Sequence, residues 1–325
     1  MTDIQAARSF EDNVEKRVPG DDNGKGKGYS LSQIERRRRS LAYDAFMRFL
    51  SNRVGVAASI YIIVITLAAI FAGPLMPYER DAPDFENTRT APSAEHWFGT
   101  DKLGRDVFTR TVYGARVSLG VAFVGTITAM VIGVAYGAIS GYFGGVVDDI
   151  MMRFVDLMFG FPTLLFIILI LLVIPPNSST LLIMVGLFVA LGVVSWLNVA
   201  RLVRGQFLSL REKEFVEAAE AVGARPIEVV TRHLLPNSFS PVLIWLTLQI
   251  PSLILTESTL SFIGLGVKPP TPSWGGMLSE GWRAMRTSPW LAIFPALAIS
   301  VTMVAFNFLG DSLRDALDPT MRGQD

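Results

Sequence analysis

The stretch EFVEAAEAVGARPIEVVTRHLLPN, residues 214–237, sets a charged, twice-interrupted helical pattern between long apolar runs. In its first half Phe215, Ala218, Ala219 and Val222 fall at i, i+3, i+4 and i+7, the spacing of one helix face. Gly223 then supplies the left-handed turn that closes such a helix without a Cβ clash. Pro226 suits the first position of a second helix, where its missing N–H has no partner to lose. That helix repeats the face with Ile227, Val230, Thr231 and Leu234, and Leu235 and Pro236 are expected to end it. Two short amphipathic helices hinged at a glycine read as a docking surface. They hold no catalytic constellation.

Working outward, the flanks read as membrane. Half of the 325 residues are hydrophobic, and they are clustered rather than interspersed. Runs near the ~20 residues that a ~30 Å hydrocarbon layer requires are expected to span at 54–76, 117–140, 157–174, 181–200, 241–263 and 290–309. The expected fold is an all-α integral membrane protein with six transmembrane helices over 54–325 and a polar loop at 201–240. Residues 1–30 are polar, lack the apolar core of a signal peptide and are predicted to form a disordered tail. Within 31–53, Ala42, Ala45, Phe46, Phe49 and Leu50 make one apolar stripe flanked by basic residues, the pattern of an interfacial helix on membrane lipid.

Charge placement gives an orientation. Arg36, Arg37, Arg38, Arg39, Arg48 and Arg53 precede the first span and are expected to stay in the cytoplasm. Six spans then put Arg201, Arg204, Arg211, Lys213, Arg225 and Arg232 on the same side, together with the C-terminus. The loop after the first span carries Arg80, Arg89, Lys102, Arg105 and Arg110 yet must lie outside; its acidic residues offset them. The arginine run so close to a span reads as a topology determinant, so no nucleic-acid partner is expected. The Gly-Lys pairs at Gly24 and Gly26 lack the upstream glycine of a phosphate-cradling loop. With no cysteine and only His96 and His233 as histidines, neither disulfides nor a transition-metal site is expected.

Small and polar residues inside the spans carry the remaining signals. Gly125, Ala129, Gly133, Gly137 and Gly141 recur every four residues, a stripe that admits close approach of another helix. Packing within the chain's own bundle is expected, with a subunit interface as the other reading. Glu257 stands about two turns from one end of the fifth span, where a lone carboxylate costs a few kcal/mol unless paired, protonated or wetted. It reads either as part of a water-filled path or gate, or as a carboxyl bonded to neighbours such as Thr256, Ser258 and Thr259. Gln249 and Asn307 are further path candidates, although hydrogen bonding between helices is the expectation for both. Asp148, Asp149, Arg153 and Asp156 have spacings suited to pairs along one helix surface. In the loop from Pro77, Thr100 or Asp101 is expected to cap a short helix starting near Lys102. The last outer loop, with Pro269, Pro270, Pro272, Trp274 and Trp282, is stiffened by proline and anchored by tryptophan.

Residues 214–237 also resemble the EAA loop of ABC-importer permeases: Glu217, Ala218, Ala219 and Gly223 match, and Leu235-Pro236 closes at the expected distance. His233 replaces an aliphatic residue of the general pattern, and RHLLPN resembles the dipeptide, oligopeptide and nickel branch in particular. HWFGTDKLGRDVFTR (96–110), ESTLSFIGLGVKPPTPSWGGML (257–278) and FNFLGDSLRDALDP (306–319) look like the same branch. The resemblance implies a type I importer permease fold with cytoplasmic coupling helices, in a bacterial plasma membrane. It implies ATPase docking through Glu217, Ala218, Ala219, Gly223, Pro226, Leu235 and Pro236. It further implies a paralogous permease, two ABC ATPase subunits that hold ATP and Mg, and an extracytoplasmic peptide-binding protein. The chain itself would carry no cofactor and no catalysis, and it contains no Walker A pattern. Peptides are the expected cargo, with nickel or glycoconjugates as alternatives. A self-sufficient proton-coupled transporter using Glu257 is the rival class; a membrane-embedded enzyme lacks HExxH, GxSxG or paired intramembrane aspartates.

Overall fold

The computed structural model describes residues 41–175 and 178–317. The tail expected at 1–30, and residues 31–40 of the expected interfacial segment, lie outside them. Among the described residues the secondary structure is helical, with one isolated antiparallel bridge between Thr100 and Asp106.

Helix α1, Leu41–Ser51, leaves Phe46, Met47 and Leu50 exposed on one side. Asn52 separates it from α2, Arg53–Ile70; its Oδ1 accepts from the N–H groups of Val54 and Gly55 at 3.1 Å each. That cap fixes where the first apolar helix starts. Helix α3 runs over Val107–Phe143, about 55 Å at 1.5 Å per residue. It is thus longer than the expected 117–140 and than the ~30 Å a hydrocarbon layer demands. The short helix expected near Lys102, capped by Thr100 or Asp101, does not form: residues 102–103 are a turn, and α3 starts only at Val107. Asp106 caps α3, accepting from Thr109 N–H at 2.7 Å. Asp101 instead accepts from the N–H groups of Leu103 and Arg105, closing a tight turn through Gly104 at φ +77°.

The expected third span at 157–174 is corrected by the structure. Helices α4, Gly145–Phe159, and α5, Thr163–Leu172, meet there at 82°. Pro162 at the break has no N–H to continue the ladder, and its ring bars the helical conformation from Phe161. Helix α6, Thr180–Arg211, carries the fourth apolar run well past residue 200. Beyond the docking segment lie α9, Leu235–Phe262, α10, Trp274–Arg283, and α11, Trp290–Leu317. Among the described residues, five helical stretches are long and apolar enough to cross a membrane, and six if the bent pair is one span.

Helices α3 and α6 form the most extensive pairing, with α9 packed on both α3 and α11. The glycine stripe makes the first contact possible. A Cβ on Gly137 would lie 2.5 Å from the Ala200 carbonyl oxygen, and one on Gly141 2.6 Å from Phe207 Cβ. Gly133 abuts Val199, Ala129 is fully buried, and Gly125 faces Leu253 and Leu191. The stripe therefore packs within the chain. Backbones brought this close gain dispersion contacts along several turns, the main source of helix association in lipid.

Candidate functional site

The docking segment begins with α7, Glu214–Ala221, and it ends in a Schellman turn. Gly223 N–H donates to Glu220 O at 2.9 Å and Ala224 N–H to Ala219 O at 3.0 Å, with Gly223 at φ +85°. Both bonds satisfy carbonyls that the helix end would otherwise leave open. Pro226 is the first residue of α8, Pro226–Val229, whose Glu228 carboxylate accepts from Arg225 N–H at 3.0 Å. The local chemistry thus yields the two stubs read from the sequence.

One expectation fails here. Pro236 does not end the second helix: the chain passes through a π-helical turn, Val230–Leu234, straight into α9 with Pro236 near its start. The wide i→i+5 turn, closed by Leu235 N–H to Val230 O, replaces the bonding that the proline ring would break. In α7 the face packed into the core is not the periodic stripe, whereas Leu234 of the periodic set is itself buried. Val216 (1% exposed), Val229 and Leu234 insert into the core around Phe207 and Val203. Phe215, Ala218, Val222 (86% exposed) and Ile227 (64% exposed) point away from it, while Ala219 is half-buried. Glu217, Pro226 and Pro236 are exposed and Leu235 half-buried. Apart from Phe215, whose ring lies 6.3 Å from that of His233, the exposed part of the apolar stripe has no packing partner among the described residues.

Neighbouring helices are tied together by ion pairs that the sequence reading missed. Asp148 does not pair along its own helix; Arg204 Nε and Nη2 of α6 donate to its two oxygens at 2.5 Å each, and Ser140 Oγ of α3 donates at 2.5 Å. Arg201 Nη2 likewise pairs with Asp156 at 2.5 Å, and Arg211 Nη1 donates to Tyr142 O at 2.9 Å. A bidentate arginine fork on a carboxylate is directional as well as strong. It joins α3, α4 and α6 just before α6 gives way to the docking segment. Sequence spacing reveals pairs on one helix and has no means of reporting these.

At the other end of α9, Glu257 is 0% exposed. Its carboxylate accepts from Ser261 Oγ at 2.7 Å, Ser118 Oγ at 2.9 Å and Ser258 Oγ at 3.4 Å, and the Ser273 hydroxyl joins them. Thr256 and Thr259 take no part: their hydroxyls donate to Ser252 O and Leu255 O. Trp274, fully buried, donates from its ring N–H to Thr111 O at 2.8 Å and from its backbone to Ser118 Oγ at 3.4 Å. A Cβ on Gly275 would come within 2.6 Å of Ser258 Cα. The cage therefore fastens the start of α10 onto α3 and α9. Gln249 is half-buried and Asn307 exposed, beside the outward-facing Val304 and Phe308, and neither bridges helices among the described residues.

The loop of residues 77–106 is built on its own network. His96, buried, places Nδ1 2.9 Å from Asp106 Oδ1 and its ring 4.7 Å from that of Tyr78. Asp84 takes the Asn87 side-chain amide at 2.9 Å and the Glu86 N–H at 3.1 Å, and these donors hold its carboxyl below the usual range. Arg110 donates to Pro270 O and to Asp81, joining this loop to the one before α10.

With this geometry in place, comparison with known proteins is decisive. Residues 133–323 match the model of the binding-protein-dependent transport system inner membrane component. The chain belongs to that family. Residues 40–92 match the N-terminal transmembrane domain of oligopeptide transport permease C. This permease is similar to the oligopeptide transport system permease protein OppC of Escherichia coli (strain K12), 46% identical over 292 residues that cover 89% of this chain and 95% of the relative. OppC of Bacillus subtilis (strain 168) is 42% identical over 290 residues, 89% and 93% of the two chains. The dipeptide transport system permease protein DppC of the same organism is 41% identical over 289 residues, 88% of each. The permease is thus a multi-pass membrane protein whose all-helical fold is that of type I importer permeases, and the self-sufficient proton-coupled reading of Glu257 gives way.

Proposed function

We propose that this permease forms half of a translocation path for di- or oligopeptides and converts ATP hydrolysis in partner subunits into alternating access. The observation that carries the reading is the exposed apolar stripe of α7 and α8, hinged at Gly223 and continuous with α9. A cytoplasmic ATPase subunit grips that stripe, with Glu217 fixing its orientation by polar contact. Movement of the ATPases then reaches the bundle through α9 and through the Arg204–Asp148 fork. Nucleotide shifts the bundle between states only as far as it binds one better than the other.

In this reading the assembly contains a paralogous permease, two ABC ATPases that hold ATP and Mg, and an extracytoplasmic peptide-binding protein. Both termini of the chain are cytoplasmic, and α1 lies on the inner leaflet. The oligopeptide and dipeptide names of relatives that match over most of their length favour peptides over nickel or glycoconjugates.

The test uses Gly223, where a Cβ would meet nothing within 4 Å among the described residues. Gly223→Asn keeps a residue that tolerates the left-handed region, whereas Gly223→Ala strains it by ~1 kcal/mol. Because the crowding comes from the partner's groove, Gly223→Asn and Gly223→Asp are both expected to insert normally yet lose peptide-stimulated ATP hydrolysis. Wild-type stimulation in both variants would remove the docking role.

A further inference from the structure

A cavity of about 500 Å³ lies at the α10 end of the bundle, between the loop of residues 84–106, the loop of residues 263–273 and α10 itself. That volume is within the range of small-molecule sites. Val107, Met277 and Leu291 form a buried apolar cluster at its floor. Its lining also includes Arg89, Lys102, Glu280 and Arg283. Arg89 and Arg283 are exposed and enter no ion pair among the described residues. Glu280 faces Lys102 at 3.6 Å and Arg105 at 4.0 Å, both too long for a firm hydrogen bond. Arg89 has φ +51°, the one non-glycine residue with positive φ among those described, and is held there by its N–H bond to Asp101 O at 2.9 Å. A long cationic side chain kept on strained backbone at a cavity wall is an outlier that asks for a ligand.

The lining presents three complementary chemistries at once: free guanidinium groups, a loosely held carboxylate and an apolar floor. Glu280 and Arg283 are i and i+3 on α10, so acceptor and donor stand on one helix face. We propose that this cavity is a peptide-binding site on the permease itself. It takes the C-terminal carboxylate of a short peptide on Arg89 and Arg283, its N-terminal ammonium on Glu280 in place of Lys102, and an apolar side chain on the floor. Ser261 and Ser273 line the cavity while their hydroxyls bind Glu257, so the buried cage sets the shape of the floor. The inference rests on the peptide-transport reading and places a cargo contact apart from the helix-lined path.

Titration calorimetry with trialanine tests it on the purified complex of both permeases and both ATPases, without the binding protein. Saturable binding is expected, weakened about tenfold or more by acetylating and amidating the peptide, and by Arg283→Gln or Glu280→Gln. Absence of saturable binding, equal binding of the blocked peptide, or indifference to both substitutions would overturn the site. Trialanine uptake by the complete system, binding protein included, separates the two levels. Uptake without binding at the cavity sinks this inference alone, and a system that carries no peptide sinks the peptide reading with it.

Discussion

Glu257 accepts from the hydroxyls of Ser118, Ser258 and Ser261, and Ser118 stands 139 positions away in sequence. A carboxylate in hydrocarbon without such donors costs a few kcal/mol, so each serine offsets part of a large penalty. Removing the acceptor is worse than neutralising it, because buried hydroxyls are then left without partners. Glu257→Ala is expected to lower the stability of the detergent-purified complex by on the order of 1–3 kcal/mol, read as a drop in its melting temperature. Glu257→Gln keeps an acceptor oxygen and is expected to lose less. Equal melting of both variants would show that the cage contributes nothing. The sequence flagged Glu257 because a charge in an apolar run is conspicuous. Ser118 was invisible by the same reasoning, since serine is common in membrane helices and its partner lies on another helix.

The short helices α7 and α8 carry apolar residues on two faces, of which periodicity picks out only one. An eight-residue helix carrying Val216 between Phe215 and Ala218 has apolar groups on more than one side, and the i, i+3, i+4, i+7 rule selects the longer stripe. In the structure a single valine anchors α7 while the longer stripe faces outward. The two faces are separable by mutation. Val216→Asp places an unpaired carboxylate in the core around Phe207 and is expected to destabilise the segment, visible as protease cleavage near residue 213. Val222→Asp changes an exposed position and is expected to leave proteolysis unaltered while weakening co-purification of the ATPase. Intact docking in Val222→Asp would contradict the assignment of faces. Gly223 and Pro226 were legible because their roles are local backbone chemistry. The π turn was not, since Pro236 reads as a stop unless the preceding five residues are known to widen.

Across the whole molecule α9 is the strut that joins the two ends. Its 28 residues extend about 42 Å from Leu235, at the end of the docking segment, past the Glu257 cage to Phe262, more than the ~30 Å of a hydrocarbon layer. The six apolar runs were legible from composition, as was the small-residue stripe; which helix the stripe meets, and the 82° break in the third run, are tertiary facts. If α9 crosses the membrane once, the docking stripe and the cavity must face opposite compartments. The chain has no cysteine, so single introduced thiols report position without background. In sealed right-side-out vesicles a membrane-impermeant maleimide is expected to label Arg283→Cys and to leave Val222→Cys unmodified until the membrane is opened. Inverted vesicles should exchange the two results. Labelling of both thiols from one side would mean that α9 does not cross, and a push at the hinge would then have no route to the far side.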